Sequence, residues 1–472
     1  MDFSTLSITE YVDAIKSKKF KAVDAVAFFV DRCKKDTKNC IREIFPSWIE
    51  SAKRIDQKIE GGEKIGCLAG VPIIIKDNIL YINHGASAGG KMLEKFIAPY
   101  SSTVVNKLIN EDAIIIARAN MDEFALGSSG KKSAYGIVKN ARNDNHIAGG
   151  TSSGSAVSIA CGMCLAAIGT DTGVSFRMPS SYNGVVGIKP TYGRVSRYGV
   201  VGAASGLDTI GPLTKSVEDA KIVLDVIAGK DQNDMMTIEH TNFNKTIGIK
   251  KLRIGRVRQI MEIYSSSKYF SKLENVFDNL KKSGATIVDI DLDIDNDVIS
   301  TYYAVNIGQL ASNMARFNGI RFGAEAKAET IDELYTNTRT EFFADEVKRR
   351  VLFGNHVLSM HKGDSLYRKG RRLQKQIESN FDDAFKLCDA VILPTTYGEA
   401  CRMDDESENP VKEYANDLFT VPASLAGLPS ISVPYAVGEN GLPLGIQITA
   451  NKSCEHKVFE VAKLIEKMGE VQ

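Results

Sequence analysis

The chain has 472 residues, with 59 lysines and arginines against 58 aspartates and glutamates, and its net charge of +1 supplies no global field for holding a nucleic acid by charge alone. A hydrophobic share of 43% and a charged share of 25% are those of a globular protein with a sizeable core. No apolar run approaches the roughly 20 residues needed to span a bilayer, which argues against membrane insertion.

The N-terminal segment through Phe20 carries Asp2 and Glu10. It lacks a secretory apolar core and an acid-poor transit composition, so the chain is read as cytoplasmic. Ser7-Ile-Thr-Glu10 is a capping-box pattern opening a first helix, followed by helical patterns over Ala22–Lys35 and Ile41–Ile59. Residues 1–62 therefore read as a helical N-terminal layer of one domain spanning 1–472.

From Gly66 onward, short apolar strands at Val71–Ile75, Ala113–Ala117 and Leu165–Gly169 alternate with helical segments at Thr103–Asn110, Ser155–Cys161 and Val217–Ile227. That alternation predicts an α/β fold with a large mixed β-sheet surrounded by helices, with ligand loops at strand ends. A polar stretch near Asp231–Lys245 precedes a strand, helix, strand pattern at Leu252–Val257, Lys268–Lys282 and Ala285–Asp291, read as a lobe. Helices over Glu346–Met360 and Leu366–Lys386 follow. Strands at Ala390–Leu393, Ser430–Pro434 and Leu444–Thr449 are expected to complete the first sheet, and a helix from Glu455 to Lys467 closes the pattern.

Eight cysteines are scattered along the chain, which suits reduced thiols. Cys161 and Cys164 form a CxxC inside an apolar helical pattern, and with no second pair or histidine cluster they read as structural, leaving no metal site in view. The basic run Arg368–Arg372 and the acidic run Asp404–Glu408 read as solvated surface, the basic one being also a weak candidate for an RNA or partner contact.

The chemistry concentrates between Gly149 and Pro179, where GGTSSGS and TDTGVS flank an apolar run from Ala156 to Ile168. Successive backbone N–H groups ending on a hydroxyl suit an oxyanion beside a serine nucleophile. Upstream, VPIIIKDNI (Val71–Ile79) ends an apolar strand on Lys76, which is costly to bury unless it is deprotonated or paired. Gly150–Gly154 also matches GxSxG, so a nucleophile elbow at Ser152 is a rival, weakened by the polar loop that precedes it. Neither GxGxxG nor GxxxxGK[ST] is present, which disfavours a phosphate-cradling loop.

A strand-end lysine, GGTSSGS and a serine after TDTGV together resemble the amidase signature family. Longer stretches resemble in particular its tRNA-dependent amidotransferase members: ANMDEFALGSS (Ala119–Ser129), GVVGIKPTYGRVSRYGVV (Gly184–Val201), SGLDTIGPLT (Ser205–Thr214) and YANDLFTVPASLAGLPSISVP (Tyr414–Pro434). Residues 231–340 match only loosely.

The resemblance implies a catalytic triad of Ser175, Thr151 and Lys76, with oxyanion donors on the backbone of Thr172, Gly173, Val174 and Ser175. It implies glutamine as substrate, positioned by Gly127 and Ser128, with Arg350 on its α-carboxylate and Asp417 on its α-amine. It further implies two partners. One is a tRNA-binding B subunit, where ATP and Mg2+ are expected and through which tRNA is held, and the other is a small C subunit. This chain itself would hold no cofactor. A free-standing amidase of another amide, or a weakened catalytic chain serving mainly as scaffold, are the alternatives.

The scaffold alternative rests on departures from the family pattern. Thr151 stands where the family has serine, in a peptide the family holds cis, and Ser153 and Val174 stand where it has glycine. A β-branched residue resists backbone angles that glycine adopts freely.

Overall fold

The computed structural model describes residues 1–292, 296–361, 364–405 and 416–469. Its strands are β1 (Ile41–Ile44), β2 (Pro72–Lys76), β3 (Ile114–Ala119), β4 (Ala166–Asp171), β5 (Val186–Lys189), β6 (Thr209–Thr214), β7 (Arg253–Val257), β8 (Thr286–Ile290), β9 (Met360–His361), β10 (Asp364–Ser365), β11 (Ala390–Pro394), β12 (Ser430–Val437) and β13 (Pro443–Ala450). Strands β9 and β10 pair with each other, and the other eleven form one sheet in the order β1-β3-β2-β4-β6-β5-β12-β13-β11-β7-β8.

Every residue of β2, β3 and β4 is buried, as expected of adjacent parallel strands covered on both faces. Strand β2 lies parallel to both β3 and β4, so the C-terminal ends of β2 and β4 lie side by side. The sheet then turns antiparallel through β6, β5, β12, β13 and β11. It is parallel again at β11, β7 and β8. The mixed sheet expected from the sequence is thus present, and the C-terminal strands complete it. Strands β7 and β8, from the stretch read as a lobe, continue the same sheet.

Local signals place several elements well. Ser7 and Glu10 make the reciprocal bonds of a capping box at the start of helix Ile8–Lys16. Helices Thr103–Asn110 and Val217–Ile227 fall on their expected limits, each with a capping serine. One expectation fails. Ile41–Ile59 is not a continuous helix: residues Ile41–Ile44 form β1, antiparallel to β3, and the helix begins at Trp48. Pro46 lies between them, and proline both lacks an N–H and disfavours helical geometry in the residue before it. Strands β5 and β6, and helices Asn296–Met314 and Ile331–Phe342, were not expected.

Among the described residues no helix is long and apolar enough to cross a membrane, and no group of three or more His, Cys, Asp and Glu side chains is placed to hold a metal ion. No disulfide joins any of the eight cysteines, and burial pushes the Cys164 thiol up to about 12 and raises that of Cys161, as befits inert structural thiols. In the basic run, Arg371 donates to Gln374 and Arg372 to Asp364, both at exposed positions. In the acidic run, Asp404 pairs with Arg402, and residues 406–408 lie outside the described residues.

Candidate active site

Lys76 ends β2, an inner strand of the sheet between β3 and β4, and is wholly buried. Its Nζ lies 2.8 Å from Thr151 Oγ1, 2.9 Å from Thr170 Oγ1 and 3.4 Å from the Thr170 carbonyl. Thr170 Oγ1 also accepts a hydrogen bond from Asn78 Nδ2 at 3.2 Å. Among the described residues no carboxylate is within ion-pairing distance of the amine. Burial pulls the Lys76 pKa down to about 7, opposed at longer range by Asp122, Asp171 and Asp208.

Thr151 arrives on a turn that two glycines make possible. Gly149 and Gly150 have φ of 78° and 57°. A Cβ on Gly150 would sit 2.4 Å from Pro179 Cδ and 2.7 Å from the Ser175 carbonyl oxygen, so no larger residue fits. Gly150 N–H donates to the Ser128 carbonyl at 2.6 Å, and Gly149 N–H to that of Ser129 at 3.2 Å, which draws the Gly127–Ser128 loop to the site. Ser152 N–H donates to the Ser175 carbonyl at 2.9 Å, tying the two glycine-rich loops together. No described peptide bond is cis, so the cis geometry implied at Thr151 is absent here.

The same contacts answer the elbow reading. Ser152 Oγ donates to the Thr170 carbonyl at 3.0 Å and accepts from the Thr170 N–H at 3.3 Å. Its hydroxyl is used up on the backbone of β4. Ser175, by contrast, has a hydroxyl that forms no hydrogen bond with any described residue. Lys76 and Thr151 are thus hydrogen-bonded, and no hydrogen bond joins Thr151 to Ser175.

The loop from Thr172 to Ser175 is held from behind. Asp171 and Arg177 form a fully buried ion pair, with Arg177 Nη2 3.1 Å from Asp171 Oδ1 and Nε 3.1 Å from Oδ2. The guanidinium also donates to the carbonyls of Gly173 (2.5 Å) and Thr420 (2.8 Å), to Gln447 Oε1 (2.8 Å) and to Ser424 Oγ (2.7 Å). Thr172 Oγ1 donates to Asp208 Oδ1 at 2.7 Å. With side chain and carbonyls engaged this way, the N–H groups of Thr172, Gly173, Val174 and Ser175 donate to no described residue. Val174 does not lie at positive φ, so its β-branch imposes no left-handed strain. Gly173 is fixed by contact instead: a Cβ there would meet Tyr302 Oη at 2.4 Å.

Tyr302 and its neighbour Tyr303 lie on helix Asn296–Met314, in the stretch that matched the family only loosely, and sequence reasoning missed both. Their rings meet edge to face at 5.2 Å. Tyr303 Oη donates to Asp417 Oδ2 at 2.8 Å, and the Arg350 guanidinium stands 5.6 Å over the Tyr303 ring. Arg350 is 9% exposed, with Nε 2.7 Å from Glu346 Oε1. It is therefore no cation on a solvated helix face. Gly127 and Ser128 adjoin the Thr151 turn through the Gly150–Ser128 bond, and Arg350 and Asp417 reach the Thr172–Ser175 loop through Tyr303 and Tyr302. The adjacent tyrosines carry no periodicity or spacing that would have marked them.

The model of the amidase family matches residues 24–459. This chain belongs to that family. The second of the glutamyl-tRNA(Gln) amidotransferase A subunits of Clostridium acetobutylicum is 37% identical over 476 residues, covering 99% of this chain and 100% of that one. The crystal structure of the glutamyl-tRNA(Gln) amidotransferase A subunit from Thermotoga maritima superposes with a TM-score of 0.81 at 31% identity, covering 100% of this chain and 96% of the other. A peptide amidase from Stenotrophomonas maltophilia shares the fold, with a TM-score of 0.82 at 24% identity over 99% of this chain and 97% of that one. The amidase-family sheet and helices are thus common to enzymes of different substrates.

The relay geometry can be tested at both of its ends. Thr151→Ser keeps the hydroxyl and is expected to retain amidase activity, whereas Thr151→Val keeps the shape without it and should lose roughly a hundredfold or more in kcat, on the scale of a general-base contribution. A Val variant as active as the parent would move the proton path to a water. Labelling with an amide-mimicking electrophile, followed by peptide mapping, should place the adduct on Ser175, and an adduct on Ser152 would restore the elbow reading.

Proposed function

We propose that this chain is the glutamine-hydrolysing subunit of a tRNA-dependent amidotransferase. The observation that carries the reading is the pairing of opposite charges beside the nucleophile loop. Arg350 and Asp417 flank Tyr303, and Tyr303 meets Tyr302 edge to face, the latter packing beside Gly173. A guanidinium for a carboxylate and a carboxylate for an ammonium are the complements of the two charged ends of a free amino acid. The carboxamide then lies toward Ser175. Similarity to the glutamyl-tRNA(Gln) amidotransferase A subunits over nearly the whole chain supports the amidotransferase part of this reading.

In this reading Ser175 Oγ attacks the carboxamide carbon as its proton passes to Thr151 Oγ1, while the Thr151 proton passes to neutral Lys76 Nζ. The carbonyl oxygen takes the negative charge toward the free N–H groups of residues 172–175. On collapse the C–N bond breaks, the proton returns through Thr151 to the departing nitrogen, and ammonia leaves a γ-glutamyl ester on Ser175. Water, deprotonated by the same relay, releases glutamate.

The ammonia is used by a partner, the tRNA-binding B subunit, which holds ATP and Mg2+ and amidates misacylated Glu-tRNA(Gln) or Asp-tRNA(Asn). A small C subunit joins them in a cytoplasmic heterotrimer. A chain with a net charge of +1 leaves tRNA binding to that partner. The scaffold alternative drew on Thr151, Ser153 and Val174; Val174 is not at positive φ and its N–H donates to no described residue, and Thr151 keeps its hydroxyl 2.8 Å from Lys76 Nζ, which weakens that alternative at two of the three positions.

The test is ammonia release from glutamine by the chain purified with its partners, with and without ATP and misacylated tRNA. Arg350→Ala removes one charge-assisted contact, about 1.5–3 kcal/mol, and should raise the KM for glutamine roughly ten- to a hundred-fold. No ammonia from glutamine, or an unchanged KM in the variant, would contradict the reading.

A further inference from the structure

Helix Asp345–Leu358 carries Arg350, and its N-terminus lacks a cap of its own. The N-cap residue is Ala344, which has no side-chain acceptor, and no side-chain cap bond forms there. In a capping box the third helical residue returns a carboxylate to the N-cap N–H. Here that residue is Val347. The missing carboxylate comes from Glu123, 221 positions away, whose Oε2 accepts the Ala344 N–H at 3.1 Å.

Glu123 is 2% exposed, and the backbone beside it is strained. Phe124 and Ala125 both have left-handed φ, 48° and 58°, a conformation that disfavours residues with a Cβ by roughly 1–2 kcal/mol each. The strain places two side chains on one target. The Phe124 ring meets Phe343 edge to face at 5.8 Å and Phe317 at 5.1 Å, while Glu123 grips the adjoining Ala344. Phe124 N–H donates to the Ala88 carbonyl at 2.8 Å and Glu123 N–H to that of Lys132 at 3.2 Å, which anchor the turn itself. Glu123 Oε1 has no hydrogen-bond partner among the described residues, and it crowds Gly90, where a Cβ would sit 2.6 Å away. A buried carboxylate this poorly solvated is a cost to folding. Burial accordingly raises its pKa to about 7, opposed by the Ala344 bond and by Lys348.

The same turn leads directly into Gly127 and Ser128. We propose that Glu123 and Phe124 form a clamp that sets the Arg350 helix at a fixed distance from the Gly127–Ser128 loop, making Glu123 a positioning residue for the amino-acid end of the substrate. The inference rests on the reading of Arg350 as the carboxylate contact. It adds that the contact is aligned by a residue that touches no substrate. Capping from a remote loop couples two segments that no strand or helix joins.

The experiment compares parent, Glu123→Ala and Glu123→Gln in the purified complex. Substrates are glutamine and 4-aminobutanamide, which lacks the α-carboxylate, and amide hydrogen exchange is followed over residues 344–350. Glu123→Ala should lower the preference for glutamine over 4-aminobutanamide roughly five- to tenfold, through KM rather than kcat, and should speed exchange in the first turn of the helix. Glu123→Gln keeps an acceptor and should recover most of both. Equal losses on the two substrates, or exchange unchanged in Glu123→Ala, would overturn the clamp. Should the parent release no ammonia from glutamine, the substrate reading falls, and the exchange measurement alone still decides whether Glu123 holds the helix.

Discussion

A buried lysine that faces two threonine hydroxyls and no carboxylate is the constraint on which this site turns. Lys76 lies at the end of a strand flanked on both sides by parallel neighbours, where a charged amine is poorly solvated. Asp122, Asp171 and Asp208 act on it only at longer range, and Asp171, at the end of the next strand, is engaged by Arg177. Arg177 is thus a buried cation with its counter-ion, and Lys76 has none within ion-pairing distance among the described residues. Burial pulls the Lys76 amine down to about 7, which suits it to the proposed role of base.

The paired cation organises the rest. Arg177 reaches Asp171, the Gly173 carbonyl, Ser424 and Gln447 at once, so it joins the nucleophile loop to the short helix at Val421–Leu425 and to β13. A carbonyl held from behind turns its peptide N–H groups forward, and this is how a loop without regular hydrogen bonding keeps its donors aimed. Breaking one member of such a buried pair leaves an uncompensated charge. The sheet topology makes the arrangement possible, because the parallel β2 and β4 end side by side, and the turns following them face each other.

Much of this was legible in the sequence, for identifiable reasons. Apolar runs bounded by glycine and charge marked β2, β3 and β4, and capping serines marked the helices that start at Ile8, Thr103 and Val217. Lys76 stood out because it ends an apolar strand where its charge is costly to bury, whereas the roles of Thr151 and Ser175 came from the resemblance to the amidase signature family. What was missed lies where local signals are weak. Strands β5 and β6 contain glycine and proline inside their pairing regions. Helix Asn296–Met314 mixes apolar and polar residues around its circumference, since it packs against several elements at once. Tyr302 and Tyr303 acquire their roles from the contacts of that helix with Gly173, Arg350 and Asp417, which are far apart in sequence. Glu123 could be seen as part of a motif, but its partner Ala344 could not.

The central claim is that the Lys76 amine is neutral at working pH, and it is tested most directly by titrating that amine. With 15N-labelled lysine and the signal assigned by its loss in Lys76→Met, NMR of the resting protein should show a midpoint close to about 7, where burial places it. A midpoint near the ordinary lysine value of about 10.4 would mean that the amine stays charged, and the relay from Ser175 through Thr151 would then have no base to receive its proton.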